Sequence, residues 1–240
     1  MMQRKGIILA GGTGSRLYPL TKVTNKSLLP MGNKPMIIHL LDLYQNAGIN
    51  DIMIITGQEH MGQIVSLLGS GSEYNCDITY KVQDHSNGIA AALGLCETFG
   101  KGAKIAVLLG DNIFENYKEL VTPIRNFFEN EDSYHLFLKK TDDPTRFGVP
   151  VIENEKIINI IEKPKNPPSE FAVTGLYLYS DEVFDVIKTL KPSLRGEYEI
   201  SDVNSHFVKQ TRGSFTVIKD GWIDAGTFDS YLRANIMVSK

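Results

Sequence analysis

Three glycines and an arginine are the first residues in this chain whose types and spacing could do chemistry. Gly11, Gly12 and Gly14 stand in GIILAGGTGSRLYPLT, which runs from Gly6 to Thr21, and Arg16 follows them closely. Peptide N–H groups with no side chain in front of them can surround phosphate oxygens, and a guanidinium can bind the same oxygens through two parallel hydrogen bonds. The same residues also suit an ordinary turn with a solvated arginine, because glycine supplies positive-φ positions. Lys26, in NKSLLP, adds a second cation ten residues after Arg16. Two fixed cations beside a glycine-rich turn suit a triphosphate. Neither familiar phosphate loop is present: a dinucleotide fingerprint begun at Gly12 requires glycine at 17, where Leu17 stands, and no glycine here is followed by the Lys-Ser/Thr pair of a P-loop.

Two carboxylates extend the pattern. Asp111, in LLGDNIF, closes an apolar run, and Asp224, in GWIDAGTF, lies between an apolar stretch and a glycine. Asp111 alone could equally cap a helix. Brought together, two carboxylates repel unless a cation lies between them. Phosphate chemistry commonly supplies that cation as Mg2+, held by one or two carboxylates plus phosphate oxygens. Spacing in the chain leaves their proximity open.

The elements that must position these residues follow from periodicity. IILA (7–10), DIMIIT (51–56), DITYKV (77–82) and KIAVLLG (104–110) read as strands. Helices are predicted over Pro35–Ala47, Glu59–Leu68 and Gly88–Phe99, each followed by glycine. Such alternation predicts a doubly wound, mostly parallel α/β sheet covered by helices on both faces. Ligands in such sheets bind outside the carboxyl ends of the strands, so the loops after Ala10, Val82 and Gly110 should face one crevice. From about Ser133 the organisation changes. YHLFLKK, Val149–Ile152, KIINIIEK and FAVTGLYLYS read as four strands with few helices between them, and they predict a smaller β-rich insertion walling the crevice. Helices return at Asp181–Leu190, Glu199–Gln210 and from Thr227 onward. One domain over 1–240 is expected, with 1–132 as one half and 133–240 as the other.

Composition excludes several classes. The 240 residues are 42% hydrophobic and 22% charged, enough to bury a large core. A net charge of −3 argues against a nucleic-acid partner, which normally meets a basic excess. No apolar run reaches the ~20 residues of a membrane span, and MMQRK leads straight into a strand with no cleavage signal. Cys76 and Cys96 match no metal or redox spacing and read as small buried residues in a reducing compartment. A cytoplasmic location without a membrane partner is expected.

The stretches GGTGSRLYPLT, NKSLLP, KVQDHSNGIAAAL, LGDNIF, RFGV, IIEKP, VTGLYLY, RGEYEISDVN and WIDAGT occur in this order along the chain. In that order they resemble the sugar-phosphate nucleotidylyltransferase family, most closely its short-form glucose-1-phosphate thymidylyltransferases. The resemblance covers nearly the whole chain. It implies a Rossmann-like nucleotidyltransferase fold with an inserted sugar-binding region, a nucleotide-binding half before a sugar-phosphate-binding half, and Mg2+ as cofactor. The implied substrates are a nucleoside triphosphate, with dTTP first, and a sugar 1-phosphate, with glucose 1-phosphate first. The implied products are the nucleoside diphosphate sugar and pyrophosphate.

The resemblance also implies roles for particular residues. Arg16 and Lys26 match the family's catalytic cations, Lys163 matches its sugar-phosphate lysine, and Asp111 and Asp224 match its metal ligands. Leu9, Gly11, Gly12, Gly14, Gln83, Gly88 and Asp111 fall at nucleotide-binding positions. Phe147, Gly148, Glu162, Val173 and Arg195 fall where the family forms its sugar pocket, with Glu162 as acceptor for sugar hydroxyls. Trp222 reads as core. Two positions depart from many relatives: Ala91 stands where glutamine is common, and Phe147 where tyrosine is common. The chain stops soon after WIDAGTFDSYLRAN, short of the helices that help form a regulatory site in longer members, so product inhibition is expected to be competitive. A homo-oligomer is compatible with the resemblance. The alternatives are uridylyl or cytidylyl transfer to another phosphorylated small molecule, or a sugar-nucleotide sensor without turnover.

Overall fold

The computed structural model describes residues 3–239. Its centre is a sheet of seven strands. In chain order these are β1 (Gln3–Leu9), β4 (Asp51–Gly57), β5 (Asp77–Gln83), β6 (Ala103–Leu109), β8 (Tyr134–Lys140), β11 (Phe171–Tyr179) and β12 (Gly213–Ile218). Three short ribbons complete the strand set: β2 (Pro30–Met31) with β3 (Lys34–Pro35), β7 (Asn112–Phe114) with β13 (Trp222–Asp224), and β9 (Gly148–Glu153) with β10 (Lys156–Glu162). The sheet order is β12-β8-β11-β6-β1-β4-β5. β6, β1, β4 and β5 run parallel, β11 is antiparallel to both of its neighbours, and β12 is parallel to β8.

Side chains alternate across β1, as a strand of period two requires. Ile8 faces α1 (Met36–Ala47), whose Ile37, Leu40, Leu41 and Tyr44 fill that side with Leu120, Ile124 and Phe127 of α5 (Lys118–Glu129). Ile7 and Leu9 face the opposite core. There Ala90 and Leu93 of α3 (Ile89–Gly94) meet Val183 and Phe184 of α6 (Glu182–Thr189), and Val203 and Phe207 of α7 (Ile200–Gln210). The remaining helices are α2 (Met61–Leu68), α4 (Glu97–Gly100) and α8 (Phe228–Val238). Thr227 caps α8 by accepting from Ser230 N–H.

Three expectations need correction. Only two of the four strands expected in the insertion lie outside the main sheet. β8 and β11 extend the sheet itself, because their apolar residues are buried from both faces, and the β9–β10 hairpin alone forms the excursion. The helix expected over Gly88–Phe99 is two helices. Leu95 N–H and Cys96 N–H bond to Ala92 and Leu93, three residues back, which tightens the chain into a turn where Gly94 packs against Ile187. Residues 118–129 and 213–218 also carry elements that periodicity did not predict, α5 and β12. Pro123 sits inside α5, where proline ordinarily argues against a helix.

Candidate active site

The loops after β1, β5 and β6 open into one cavity of about 380 Å³, closed on the far side by the β9–β10 hairpin and the start of α7. Leu9, Gly11, Gly12, Arg16, Lys26, Gln83, Gly88 and Asp111 line it. A Cβ on Gly11 would stand 2.7 Å from Oε1 of Gln83, so a side chain there would displace the Gln83 amide. Gly14 does not line the cavity. Its role is in the turn: at φ 60 it sits against Thr21, whose hydroxyl donates to the Gly14 carbonyl at 2.7 Å. Asn25 fixes the next turn by donating to the Ala10 carbonyl at 2.8 Å and accepting from Ser27 N–H at 2.8 Å. This staple aims Lys26 at Asp111, with which it forms a largely buried ion pair.

Asp111 and Asp224 are brought together by the β7–β13 ribbon. Asn112 pairs with Asp224, and the Ala225 N–H donates to the Asp111 carbonyl at 2.8 Å. The two carboxyls then diverge in character. Burial pushes Asp111 up, but the Lys26 ammonium and the Asn112 amide outweigh it and hold the carboxyl below its ordinary value. Asp224 has no hydrogen-bonded cation among the described residues, and the charges of Lys26, Arg16 and Arg146 offset its burial only in part. Burial, then the Asp111 charge, push it up to about 6, and its Oδ1 is buried without a hydrogen bond among the described residues. Nη2 of Arg146 stands 4.0 Å from the other oxygen. Gly226 gives this corner its room: a Cβ there would stand 2.7 Å from Nη2 of Arg16 and 2.8 Å from Oδ1 of Asp224.

The opposite wall carries Phe147, Gly148, Glu162, Lys163, Val173 and Arg195. Lys163 has φ 42, an uncommon conformation for a residue with a side chain, and its N–H donates to the Phe147 carbonyl at 2.9 Å. Glu162 is already engaged: it accepts from the Ser201 hydroxyl at 2.5 Å and from Arg195 at 3.2 Å, with Nζ of Lys163 at 3.3 Å. Arg195 in turn grips Glu199 at 2.8 Å and Glu197 at 3.4 Å. Trp222 is both core and lining. Its Nε1 donates to Oδ1 of Asn112 at 2.7 Å, and its ring packs on Phe147 at 5.1 Å between centroids.

The sequence of residues 5–240 matches the family model described as nucleotidyl transferase. The chain belongs to this nucleotidyl transferase family. It is 40% identical over 233 residues to a glucose-1-phosphate thymidylyltransferase of Neisseria meningitidis, covering 96% of this chain and 81% of that protein. Against one from Xanthomonas campestris it is 41% identical, covering 98% of this chain and 80% of the relative. A Bacillus anthracis protein assigned as a glucose-1-phosphate thymidylyltransferase, solved in complex with a sucrose, superposes with a TM-score of 0.93. The two are 52% identical, with 99% of this chain and 96% of that one covered. A UDP-glucose pyrophosphorylase solved with UDP-glucose shares the fold at a TM-score of 0.87 and 22% identity, over 98% of each chain.

Several lining residues of this nucleotidyl transferase escaped sequence reasoning. Arg146 opens RFGV, Asn112 follows Asp111 in LGDNIF, and Glu197, Glu199, Ser201 and Asn204 all lie within RGEYEISDVN. Each stood in a stretch already singled out. What periodicity could not supply was direction, which here depends on the ribbon pairing and on the start of α7.

Proposed function

We propose that the protein transfers a thymidylyl group from dTTP to glucose 1-phosphate, giving dTDP-glucose and pyrophosphate. The observation that carries this reading is the convergence of Arg16, Lys26, Asp111, Lys163 and Asp224 on one cavity floored by bare backbone. The named relatives support the choice of base and sugar.

In this reading an oxygen of the sugar 1-phosphate attacks the α-phosphorus in line. The new O–P bond forms as the bond to the leaving pyrophosphate breaks, and the bonding pair departs with pyrophosphate. No general base is needed, because the attacking phosphate is already ionised at neutral pH. Catalysis is then positioning and charge stabilisation. Backbone at Gly11 and Gly12 approaches the triphosphate, and Arg16 and Lys26 neutralise its oxygens and those of the leaving group. Lys163 holds the sugar phosphate. Leu9, Gln83 and Gly88 bind the nucleoside, while Phe147, Gly148, Val173 and Glu162 receive the sugar. Glu162 keeps its orientation through Ser201 and Arg195.

The site also fits a divalent cation. A buried carboxylate oxygen with no partner, raised in pKa beside a second carboxylate, is what a cation between Asp111 and Asp224 would relieve. Mg2+ held there would polarise phosphate oxygens and offset their charge.

The test is pyrophosphate release across a panel of dTTP, dUTP, UTP and CTP with glucose 1-phosphate and Mg2+. Gln83 reads an edge that thymine and uracil share, so only the 5-methyl and the 2′-hydroxyl separate dTTP from UTP. We expect a preference for dTTP of about tenfold. A clear preference for UTP or CTP would overturn the thymidylyl assignment. Pyrophosphate release from no triphosphate would overturn nucleotidyl transfer.

A further inference from the structure

Asn112 follows Asp111, is almost wholly buried, and is hydrogen-bonded at both ends of its amide. Its Oδ1 accepts from the Trp222 indole Nε1–H at 2.7 Å and from the Gly175 N–H at 2.8 Å. Its Nδ2 donates to Oδ1 of Asp111 at 3.1 Å. Trp222 and Gly175 can only donate here, so the amide has one allowed orientation: turned over, it would set its own NH2 group against both of them. The chain makes room for this side chain. Gly175 lies where the pairing of β11 with β8 shifts register, between Val173 and Tyr177, and a Cβ on it would stand 2.5 Å from Cγ of Asn112. Trp222 is itself packed on Phe147. The amide is therefore held by β11 and β13 together, and it passes that constraint to the residue before it.

What the lock does to Asp111 follows from its contacts. Lys26 meets Oδ2 of Asp111. One ammonium on one oxygen is a pivot, about which the carboxylate could still turn on its Cβ–Cγ bond and share both oxygens with the same cation. A second contact on the other oxygen, from a group that cannot itself turn, fixes the plane. Each oxygen then keeps a further lone pair. We propose that Asn112 is a positioning residue for the cation site, holding the Asp111 carboxylate in the rotation that leaves those lone pairs open to a cation shared with Asp224. The inference rests on the reading that Mg2+ sits between the two acids. Groups that hold a metal ligand from behind commonly contribute about 10–100-fold to metal affinity.

The measurement is calorimetric titration of dTTP into the wild type, Asn112→Ala and Asn112→Ser, once with Mg2+ and once with EDTA. No sugar phosphate is present, so binding is read without turnover. The gain in dTTP affinity on adding Mg2+ is expected to fall about tenfold in both variants. Affinity in EDTA should stay within about threefold of wild type, because Arg16 and the backbone at Gly11 and Gly12 are untouched. Misfolding lowers the stoichiometry of a titration and leaves the dissociation constants of the folded fraction in place. Alanine leaves space for water to reach the Trp222 and Gly175 donors, and serine supplies an acceptor of its own, so Asn112→Ser carries the test if Asn112→Ala does not fold. A Mg2+ gain within about twofold of wild type, or an affinity lost equally in Mg2+ and EDTA, overturns the proposal. A wild type that binds dTTP no better with Mg2+ would remove the cation between the two acids and this role with it. A gain present in the wild type and kept in the variants would remove the role of Asn112 alone.

Discussion

Gly226→Ala tests whether the corner between Arg16 and Asp224 is shaped for catalysis. Gly226 does not need a left-handed backbone, so alanine is conformationally allowed there. Its methyl would arrive 2.7 Å from Nη2 of Arg16 and 2.8 Å from Oδ1 of Asp224, whereas ordinary contacts begin at 3.4 Å. Both charged groups must retreat, each by about 0.6–0.7 Å. For the Arg16 guanidinium against a substrate phosphate oxygen near 3 Å in an effective dielectric near 20, that retreat removes about 1 kcal/mol of interaction, or about fivefold in rate. Misalignment of an in-line displacement adds to it, since displacements near 1 Å can cost about 100-fold. We expect kcat/KM for dTTP to fall about thirtyfold, within those bounds. Stability should move by less than about 1 kcal/mol, because the Arg16 end is exposed and flexible and the loss of a glycine restricts the unfolded chain. Pyrophosphate release coupled to a chromogenic phosphate assay gives the first quantity, and urea denaturation the second. Activity within twofold of wild type in a folded variant would show that the Arg16–Asp224 corner does not shape the reaction.

The two acids should separate activity from stability in opposite ways. Asp224→Asn is expected to cut turnover by orders of magnitude yet raise the urea midpoint without Mg2+, since it removes a buried charge held at a pKa of about 6. Asp111→Asn is expected to lose both, because it strands Lys26; a stabilised Asp111→Asn or an active Asp224→Asn would contradict this. Lys163→Ala should raise KM for glucose 1-phosphate with little change in KM for dTTP, read from initial rates with each substrate varied in turn. His135, buried between the hydroxyls of Ser214 and Thr216, is held by burial at a pKa of about 4 against its ordinary 6.5. Its contribution is therefore complete above pH 6.5 and is lost as pH falls toward 4, so about 2 kcal/mol should disappear between pH 7.5 and 5. Replacing it in His135→Gln should flatten that slope in denaturant titrations.

Much of the floor was legible because its signals are local. Glycines at 11 and 12 mark a close backbone approach, and the switch from apolar runs to helical periods places the loops after β1, β5 and β6 on one edge. The convergence of Asp111 with Asp224 was not legible from periodicity. It depends on a three-residue ribbon, too short to show a period, that joins Asn112–Phe114 to Trp222–Asp224 across half the chain. Gly14 looked like its neighbours in sequence, yet the hydroxyl of Thr21 makes it a turn residue. Glu162 read as a free acceptor, and only the tertiary structure brings Ser201 and Arg195 to it. β8 and β11 read as an insertion because no helices separate them, whereas their burial on both faces places them in the main sheet. The motif order supplied what these local signals lacked, by resemblance to a family in which such pairings already stand.

The central claim is that an oxygen of the sugar phosphate becomes bonded to the α-phosphorus of dTTP in this cavity. Glucose 1-phosphate carrying oxygen-18 in its phosphoryl oxygens, mixed with dTTP and Mg2+, tests it directly by phosphorus NMR and mass spectrometry. The account predicts dTDP-glucose and pyrophosphate in equal amounts, with label in the bridging oxygen of the sugar nucleotide and none in pyrophosphate. Label in pyrophosphate, pyrophosphate released without sugar nucleotide, or undiminished product formation by an Asp111→Asn, Asp224→Asn double variant would contradict it.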